Sequence, residues 1–290
     1  MIVLLGGTGF VGTAIQKSLM KRGLAVEVIS RRLLDYTDEG ALTACLRDLR
    51  PEFLINAAGY TGRPNVDACE VNKTPCLEGN AVLPGVIRAA CDRENIPWGH
   101  VSSGCIFTGR RPDGTGFTEN DPANFTFRQN NCSFYSGCKA LGEEILNGTE
   151  NCYIWRLRIP FNQVDSPRNY ISKLIRYDRL LNAENSLSHL NEFADCCVES
   201  WMMRIPFGVY NLTNPGSITT QEVVNRIQRH GLTDKSFQFF NSESDFMQKA
   251  AVAPRSNCVL DSSKAVSAGL PLSPIDEALE KALRHWQTAS

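Results

Sequence analysis

The sequence lacks the features that mark nucleic-acid-binding and membrane proteins. Its 30 lysine and arginine residues are balanced by 31 aspartate and glutamate residues, so the net charge is −1 and no basic excess is present for a phosphate backbone. No apolar run reaches the roughly 18 residues that a membrane span needs. The first residues form an apolar stretch that runs into glycines, unlike a basic leader before a cleavage site. We therefore expect neither nucleic acid nor a membrane as partner, and a cytoplasmic location.

The sequence also lacks the cysteine spacing of a disulfide framework or a zinc site. It contains 11 cysteines, an odd number, and no CxxC pair. This pattern predicts reduced thiols in a reducing compartment. No metal site is expected, because the four histidines are far apart in the sequence: His100, His189, His230 and His285.

What the sequence does contain is an alternation of short apolar strands with longer helices. Met1–Leu5, Leu24–Ser30 and Phe53–Asn56 have the composition of buried strands, and Phe10–Arg22 and Cys76–Glu94 have helical spacing. Such alternation is typical of βαβ units around a parallel sheet. The sequence therefore predicts an α/β fold with a Rossmann-type doubly wound parallel sheet.

The alternation becomes less regular after Pro160. Residues 1–160 are predicted to form the NAD(P)-binding Rossmann domain. We expect residues 161–290 to form mainly a smaller C-terminal α/β substrate-binding lobe, with a helix over Asn169–Leu181. Segments within about 185–215 are expected to return to the Rossmann sheet.

A glycine-rich turn joins the first strand to the first helix. Gly6 permits the tight turn, Gly9 lets the backbone approach a pyrophosphate, and Gly12 lets the helix pack close to the sheet. The helix N-terminus offers free N–H groups and a positive dipole to phosphates. The turn predicts dinucleotide binding by Gly6, Thr8, Gly9, Phe10, Val11 and Gly12.

The end of the second strand indicates which nicotinamide cofactor is preferred. Ser30, Arg31 and Arg32 stand where NAD-preferring folds usually place an acidic residue for the ribose 2′-hydroxyl. Two arginines suit a 2′-phosphate instead, unless they are ordinary solvated surface charges. We therefore predict NADPH as the cofactor, with NADH as the alternative.

Three residues have the order and spacing of a carbonyl-reducing site. Tyr135 and Lys139 are four residues apart on a predicted helix and so share one face. The lysine ammonium is expected to lower the pKa of the phenol, which donates a proton to a carbonyl oxygen as hydride arrives. Ser103 ends the fourth strand, where ligands of an open α/β sheet bind. We expect its hydroxyl beside Tyr135, polarising the same carbonyl.

Longer motifs make the sequence similar to one family. The glycine turn, Asn56–Gly59 and the Tyr135–Lys139 motif resemble extended short-chain dehydrogenases. Further stretches resemble the plant-type nucleotide-rhamnose synthases, which are NDP-4-keto-6-deoxyglucose 3,5-epimerase/4-reductases that also occur in some large viruses. The similarity runs from the N-terminus to about Lys264. The stretches that carry it are Thr61–Glu70, Gly104–Phe107, Ser133–Ser136, Pro167–Lys173, Asn211–Gly216 and Ala253–Asn257.

The resemblance implies a substrate and a set of site residues. One site inverts C3 and C5 of a UDP- or dTDP-linked 4-keto-6-deoxyglucose and then reduces the C4 ketone with NADPH. Ser103, Tyr135 and Lys139 would serve the reduction, and Cys105 and Lys173 the epimerase acid and base roles, in either order. Cofactor contacts are implied at Asn56, Ala57, Ala58, Gly59, Tyr135, Lys139 and Pro160, and substrate contacts at Arg63, Asn80, Asn169 and Arg255.

Some parts of this interpretation stay open. For Arg63 and Arg255 the alternative role is a structural ion pair, and for Cys105 it is a small buried apolar residue. The chain also departs from the family at Ser103, where threonine is common, and at Gly137 and Cys138, where lysine and threonine are usual.

The resemblance further implies a separate 4,6-dehydratase that supplies the substrate, and a homodimer is compatible with it. Epimerisation and reduction suit one site, because the protons at C3 and C5 are α to the ketone and the enolate charge falls on the C4 oxygen. Two alternative functions remain: a 4-ketoreductase without epimerase activity, and a non-catalytic dinucleotide-binding regulatory subunit.

Overall fold

The computed structural model describes residues 1–63 and 65–288; Pro64 of the Thr61–Glu70 motif and the last two residues of the predicted lobe lie outside the described residues. The strands are β1 Ile2–Leu5, β2 Val26–Ile29, β3 Phe53–Asn56, β4 Trp98–Ser103, β5 Cys152–Leu157, β6 Pro160–Phe161, β7 Arg179–Leu180, β8 Glu184–Asn185, β9 Ser188–His189, β10 Gly208–Asn211, β11 Ile218–Thr219 and β12 Gln238–Phe239.

The helices alternate with the main strands. They are α1 Phe10–Lys21, α2 Glu39–Leu49, α3 Ala68–Val71, α4 Lys73–Leu77, α5 Leu83–Glu94, α6 Phe134–Ile145, α7 Tyr170–Arg176, α8 Leu190–Met202, α9 Thr220–Arg229, α10 Glu243–Lys249, α11 Ser263–Ser267 and α12 Ile275–Arg284. Glu78–Val82 forms a π-helical turn between α4 and α5, and Gly104–Ile106 a 3-10 turn after β4. Over residues 1–63 and 65–288, no helix has both the length and the apolar character needed to cross a membrane.

Six parallel strands form the central sheet in the order β10-β5-β4-β3-β1-β2. Strand β1 pairs with β2 on one side and β3 on the other, with Ile2 opposite both Val26 and Phe53. The chain therefore changes its winding direction at β1, and doubly wound sheets bind ligands at the carboxyl ends of the strands beside such a point. The predicted Rossmann-type parallel sheet is confirmed.

Helices cover both faces of this sheet. On one face α1 and α8 contribute Ile15, Leu19 and Phe193 to a buried cluster, and on the other α2 and α5 contribute Leu42 and Ile87. Every residue of β1 and β3 is buried, because both faces of these central strands are covered. The continuous apolar runs in the sequence have this physical cause.

The chain beyond Pro160 packs around a third apolar cluster. Ile171 of α7, Val223 of α9 and Leu279 of α12 belong to it. Strand β10 leaves this region and extends the main sheet beside β5, with Tyr210 opposite Trp155. The division into a domain of residues 1–160 and a lobe of residues 161–290 stays a prediction.

The helix predicted over Asn169–Leu181 was too long. It ends at Arg176, and the chain then becomes extended so that Arg179–Leu180 pairs with Gln238–Phe239. The partner strand lies about 60 residues further along the chain, so local spacing carries no signal for this pairing.

Candidate active site

The glycine turn lies at the carboxyl end of β1 and has the shape of a phosphate cradle. Gly6 has φ +75°, in the left-handed region that favours glycine. A Cβ on Gly12 would lie 2.1 Å from the Gly6 carbonyl oxygen, so a side chain has no space there. Gly9 is the N-cap of α1 and leaves the first N–H groups of the helix without a side-chain partner, with Thr8 exposed beside it. The turn therefore fits the pyrophosphate of a dinucleotide.

Two exposed arginines follow the neighbouring strand. Arg31 and Arg32 come directly after β2 and the half-buried Ser30. Because β2 pairs in parallel with β1, these residues lie at the same edge of the sheet as the glycine turn. Burial raises the pKa of the nearby Tyr36, and the Arg31 charge opposes this effect. This placement is compatible with recognition of a 2′-phosphate.

A buried amide and imidazole support the backbone after β3. Asn56 Oδ1 accepts a hydrogen bond from the Ala58 N–H at 3.0 Å, so Asn56 Nδ2 is the donor to His100 Nδ1, also at 3.0 Å. His100 is then the neutral tautomer with its proton on Nε2. Burial lowers the pKa of His100 well below its usual value, and the nearby Lys139 charge lowers it further. The pair fixes Ala57 and Ala58, where cofactor contacts are predicted.

Helix α6 brings the three predicted reductase residues together. Lys139 Nζ donates to the Val101 carbonyl oxygen at 3.3 Å, and a Cβ on Gly59 would lie 3.6 Å from this Nζ atom. The Tyr135 phenol faces the Ser103 hydroxyl at the end of β4, which acts to lower the pKa of the phenol. Tyr135 and Lys139 thus meet at the carboxyl ends of β3 and β4, beside the predicted nicotinamide position.

The electrostatics of this group differ from the sequence-based expectation. Burial raises the pKa of Tyr135 well above its usual range, neighbouring thiols raise it further, and the Ser103 hydroxyl opposes these effects. Burial also lowers the pKa of Lys139, against the opposing effects of Cys105 and Glu143. We expected Lys139 to lower the pKa of the phenol, but burial has the larger effect in the free protein. Tyr135 is therefore protonated and able to donate.

Cys105 belongs to the same group of side chains. It lies in the turn after β4, and its N–H donates to Ser103 Oγ at 3.2 Å. Burial raises the pKa of its thiol, whereas the hydroxyls of Ser103 and Ser136 and the charges of Arg158 and Lys139 lower it. The thiol is therefore placed beside the group that would polarise a substrate carbonyl.

Lys173, the second predicted epimerase residue, comes from the C-terminal half of the chain. It lies in α7, where burial lowers the pKa of its ammonium and the Arg168 charge lowers it further. Arg168 in turn donates to Thr61 Oγ1 and to the Gly62 carbonyl oxygen, both at 2.9 Å. Lys173 thus belongs to the surroundings of the loop after β3, and its pairing with Cys105 across a substrate stays a prediction.

The side chains of the two predicted substrate-binding asparagines form hydrogen bonds with backbone groups in this structure. Asn80, in the π-helical turn, donates to the Tyr60 carbonyl oxygen at 2.7 Å and accepts from the Tyr60 N–H at 3.2 Å. Asn169 is fully buried, caps α7, and donates to the carbonyl oxygens of Asn162 and Val164 at 2.8 and 2.7 Å. Both therefore shape loops at the strand ends, and direct substrate contact by either stays a prediction.

The two predicted substrate-binding arginines differ from each other. Arg63 is exposed, whereas Arg255 forms a two-point ion pair with Asp67, at 2.7 and 2.6 Å. Pro160, the last predicted cofactor contact, lies three residues beyond the end of β5 and begins β6. Contact of these residues with a ligand stays a prediction.

Sequence reasoning missed two buried arginines. Arg156 of β5 binds both carboxylate oxygens of Glu143, which also accepts from Ser102 Oγ at 2.5 Å. Arg158 is buried one residue beyond the end of β5. The sequence signal that could have found them is the presence of two arginines, two residues apart, in the otherwise apolar segment Cys152–Ile159.

The cysteines are free thiols, as the sequence predicts. Three of them, Cys69, Cys76 and Cys138, form a buried cluster beside Tyr135, and Asn80 Nδ2 lies 3.5 Å from the Cys76 Sγ atom. In the part of the chain that the structure describes, no group of three or more histidine, cysteine or acidic residues is arranged to hold a metal ion.

A parallel Rossmann sheet, a phosphate-binding turn and a Ser-Tyr-Lys group at the strand ends define an NAD(P)-dependent oxidoreductase of the short-chain dehydrogenase type. Within that class, the chain belongs to the RmlD substrate-binding domain family, whose model matches residues 1–288. The predicted extended short-chain dehydrogenase family is thereby confirmed.

Named relatives support this placement. A bifunctional dTDP-4-dehydrorhamnose 3,5-epimerase/dTDP-4-dehydrorhamnose reductase of Arabidopsis thaliana is 33% identical over 284 residues, which cover 96% of this chain and 91% of that protein. A trifunctional UDP-glucose 4,6-dehydratase/UDP-4-keto-6-deoxy-D-glucose 3,5-epimerase/UDP-4-keto-L-rhamnose-reductase of the same plant is also 33% identical, over 96% of this chain. The chain spans only 41% of the length of that trifunctional relative.

Solved structures support the fold. The L780 UDP-rhamnose synthase of Acanthamoeba polyphaga mimivirus has a TM-score of 0.89 at 24% identity and covers 98% of both chains. A dTDP-4-dehydrorhamnose reductase of Bacillus anthracis, solved in complex with NADP, has a TM-score of 0.78 at 19% identity and covers 98% of this chain and 96% of its own. The family is one of sugar-nucleotide reductases. The predicted nicotinamide cofactor is confirmed at the level of this family.

Proposed function

We propose that this chain is a bifunctional enzyme that converts NDP-4-keto-6-deoxy-D-glucose into NDP-L-rhamnose with NADPH, acting first as a 3,5-epimerase and then as a 4-ketoreductase. The observation that carries the proposal is the position of Cys105, whose N–H donates to Ser103 Oγ at 3.2 Å and whose thiol lies beside the same hydroxyl that faces Tyr135. A group able to exchange protons therefore stands beside the donors of the ketone-reducing site.

The reductase half rests on Tyr135 as proton donor. When bound, NADPH supplies the hydride that adds to C4 of the sugar. The Tyr135 phenol is protonated in the free protein and can deliver its proton to the C4 oxygen, while Ser103 donates a hydrogen bond to the same oxygen. Lys139 is buried beside the end of β3, where its ammonium can orient the nicotinamide ribose.

The epimerase half uses the same carbonyl. Removing the proton at C3 or C5 produces an enolate whose negative charge falls on the C4 oxygen, where Ser103 and Tyr135 donate hydrogen bonds. Inversion then requires that a proton be returned from the opposite face of the ring. Cys105 and Lys173 are the two groups proposed for this exchange, and the lowered pKa of Lys173 favours proton transfer near neutral pH.

The choice of NADPH is supported by Arg31 and Arg32, which are exposed beside the glycine turn. By extension from the trifunctional relatives, which carry a 4,6-dehydratase in their names, we propose that a 4,6-dehydratase activity supplies the substrate. The homodimer and the cytoplasmic location stay predictions.

The proposal is tested by NADPH oxidation with UDP-4-keto-6-deoxyglucose and, in parallel, with the dTDP-linked sugar, followed by NMR of the product. We expect an L-rhamnose product with at least one carrier. A D-configured 6-deoxyhexose would remove the epimerase half and keep the reductase. Absence of oxidation with both carriers, in a protein that still binds NADPH, would favour the regulatory subunit.

The second candidate function is a 4-ketoreductase that receives an already epimerised sugar. It is favoured by the family match and by relatives named dTDP-4-dehydrorhamnose reductase, such as that of Streptomyces griseus at 25% identity over 99% of this chain. Cys105→Ala separates the two functions. If the chain is an epimerase, the variant loses deuterium incorporation at C3 and C5 in D2O but still reduces a pre-epimerised substrate.

A further inference from the structure

Arg158 carries a buried positive charge that no acidic side chain of the described residues balances. Only 5% of the residue is exposed. Its Nη2 atom donates to Asn185 Oδ1 and to the Ser256 carbonyl oxygen, both uncharged acceptors, and its Nε atom is buried without a hydrogen-bond partner. Within residues 1–63 and 65–288, no aspartate or glutamate forms a salt bridge with Arg158.

The arginine two residues earlier makes a useful comparison. Arg156 is equally buried, but it binds the Glu143 carboxylate at two points, so its charge is compensated. An uncompensated charge in a protein interior is strongly unfavourable, because the ion loses its hydration and gains no opposite charge in return. Such a cost at a strand end in a predicted active site indicates that an anion forms nearby during function.

The backbone holds the Arg158 side chain against the turn that carries Cys105. Leu157 is the residue opposite Ser103 in the sheet, so Arg158 lies level with the start of that turn. A Cβ on Gly104 would lie 3.4 Å from Arg158 Cδ, which places the arginine stem in contact with the turn. Ile159 has φ 38°, a strained value for a β-branched residue, directly after Arg158.

The thiol of Cys105 is the group near Arg158 that can become an anion in the proposed reaction. Positive charges act on it from Arg158 and from Lys139 of α6. Its other ionisable neighbours, Tyr135 and Cys132, are both kept protonated by burial. Glu143 does not compete for Arg158, because it is bound by Arg156.

Two hydroxyl groups complete the surroundings of the thiol. Ser133 Oγ donates to Ser136 Oγ at 3.0 Å, which leaves the Ser136 hydroxyl proton free to point at Cys105. Ser103 approaches the thiol from β4. Hydrogen-bond donors and an unpaired cation together stabilise the thiolate and oppose burial, which still leaves the pKa of the thiol above its usual value.

We propose that Arg158 is a positioning residue of the epimerase half, and that its unpaired guanidinium charge stabilises the thiolate form of Cys105 against the opposing effect of burial. Only the catalytic consequence of this inference rests on the proposed function. In that function the thiolate accepts a proton from C3 or C5 of the sugar and becomes the neutral thiol as the enolate forms. The charge relationship itself does not require turnover.

The test is the pH dependence of alkylation of Cys105 by iodoacetamide in the full chain, followed by mass spectrometry. Tryptic cleavage after Arg93 and Arg110 isolates residues 94–110, in which Cys105 is the sole cysteine. We expect Arg158→Met to raise the pH midpoint of alkylation by about 1–3 units, the effect of removing a close opposite charge. Arg158→Lys, which keeps a positive charge, should restore most of the wild-type midpoint.

A second pair of variants tests charge without removing the arginine. Asn185→Asp gives the guanidinium a carboxylate partner at the position of its present amide acceptor, and should raise the midpoint in the same direction. Asn185→Ala disrupts the same contact without adding charge, and should leave the midpoint close to that of the wild type. These two variants test whether the Arg158 charge acts on Cys105 even if Arg158→Met does not fold.

The outcomes separate this inference from the proposed function. An unchanged alkylation midpoint in both Arg158→Met and Asn185→Asp would overturn the role of Arg158, even if the wild-type enzyme produces L-rhamnose. A raised midpoint in an enzyme whose product is a D-configured sugar would keep the charge relationship and reject the epimerase. In an active epimerase, deuterium exchange at C3 and C5 should fall about tenfold per unit of midpoint shift at neutral pH.

Discussion

Arg255 and Asp67 lie 188 residues apart in the chain and form a two-point ion pair, with Nη1–Oδ1 and Nη2–Oδ2 distances of 2.7 and 2.6 Å. The pair joins the loop after β3 to the segment before α11. Arg168 binds the same loop through Thr61 and Gly62. Two arginines from the C-terminal half of the chain therefore hold the loop that follows β3.

The ion pair leads to a prediction that distinguishes structural support from substrate binding. If Arg255 only holds Asp67, then Arg255→Ala and Asp67→Ala should each lower the free energy of unfolding by about 1–3 kcal/mol, and the double variant should be little worse than either. Urea unfolding of the four proteins measures this coupling. Their KM values for the nucleotide sugar should change in parallel.

A different kinetic pattern would support the substrate role that the resemblance implies for Arg255. In that case, Arg255→Ala would raise KM well beyond the value in Asp67→Ala. Arg229→Ala, which removes an exposed arginine at the end of α9 and outside the predicted site, is the matched control and should leave KM unchanged.

Tyr135→Phe should abolish most of the ketone reduction. The variant removes the proton donor and keeps the ring that fills the site, so we expect kcat to fall about 100- to 10,000-fold with little effect on folding. NADPH oxidation measures the rate, and NADPH fluorescence titration checks that cofactor affinity is retained. A variant with near wild-type kcat would show that another group protonates the C4 oxygen.

Arg31 and Arg32 should set the preference for NADPH over NADH. If both contact the 2′-phosphate, the double variant Arg31→Ala/Arg32→Ala should raise KM for NADPH by about 10- to 100-fold, the effect of losing one or two charged hydrogen bonds. KM for NADH should change less than about twofold, because that cofactor has no 2′-phosphate. Arg229→Ala, an exposed arginine at the end of α9, serves as the control. Equal effects on both cofactors would contradict the assignment.

His100 should make stability depend on pH below neutrality. The folded protein keeps this buried imidazole neutral far below the ordinary pKa of 6.5, whereas the unfolded chain protonates it from that pH downward. The unfolded state then binds more protons, so the free energy of unfolding should decrease by up to about 1.4 kcal/mol per pH unit below that value.

The matched variant for this prediction is His100→Gln, which can still accept the hydrogen bond from Asn56. Urea unfolding at several pH values should give a smaller loss of stability on acidification in the variant than in the wild type. Parallel curves for the two proteins would mean that His100 is already protonated when folded.

Local patterns were sufficient for the elements of the site that lie close together in the chain. The Gly6–Gly12 turn could be predicted because its glycines have steric roles within one strand–helix junction. The shared face of Tyr135 and Lys139 follows from helical geometry alone. The end of α7 could not be predicted, since it depends on pairing with Gln238–Phe239 far along the chain.

The sequence by itself determined the alternation of strands and helices, the phosphate-binding turn and the order of Ser103, Tyr135 and Lys139. Only the tertiary structure decided which charges meet a partner: Arg156 has Glu143, whereas Arg158 has none among the described residues. The physical reason is that periodicity reports the backbone path within an element. Electrostatic energies depend instead on burial and on distances of a few ångströms between residues from different elements.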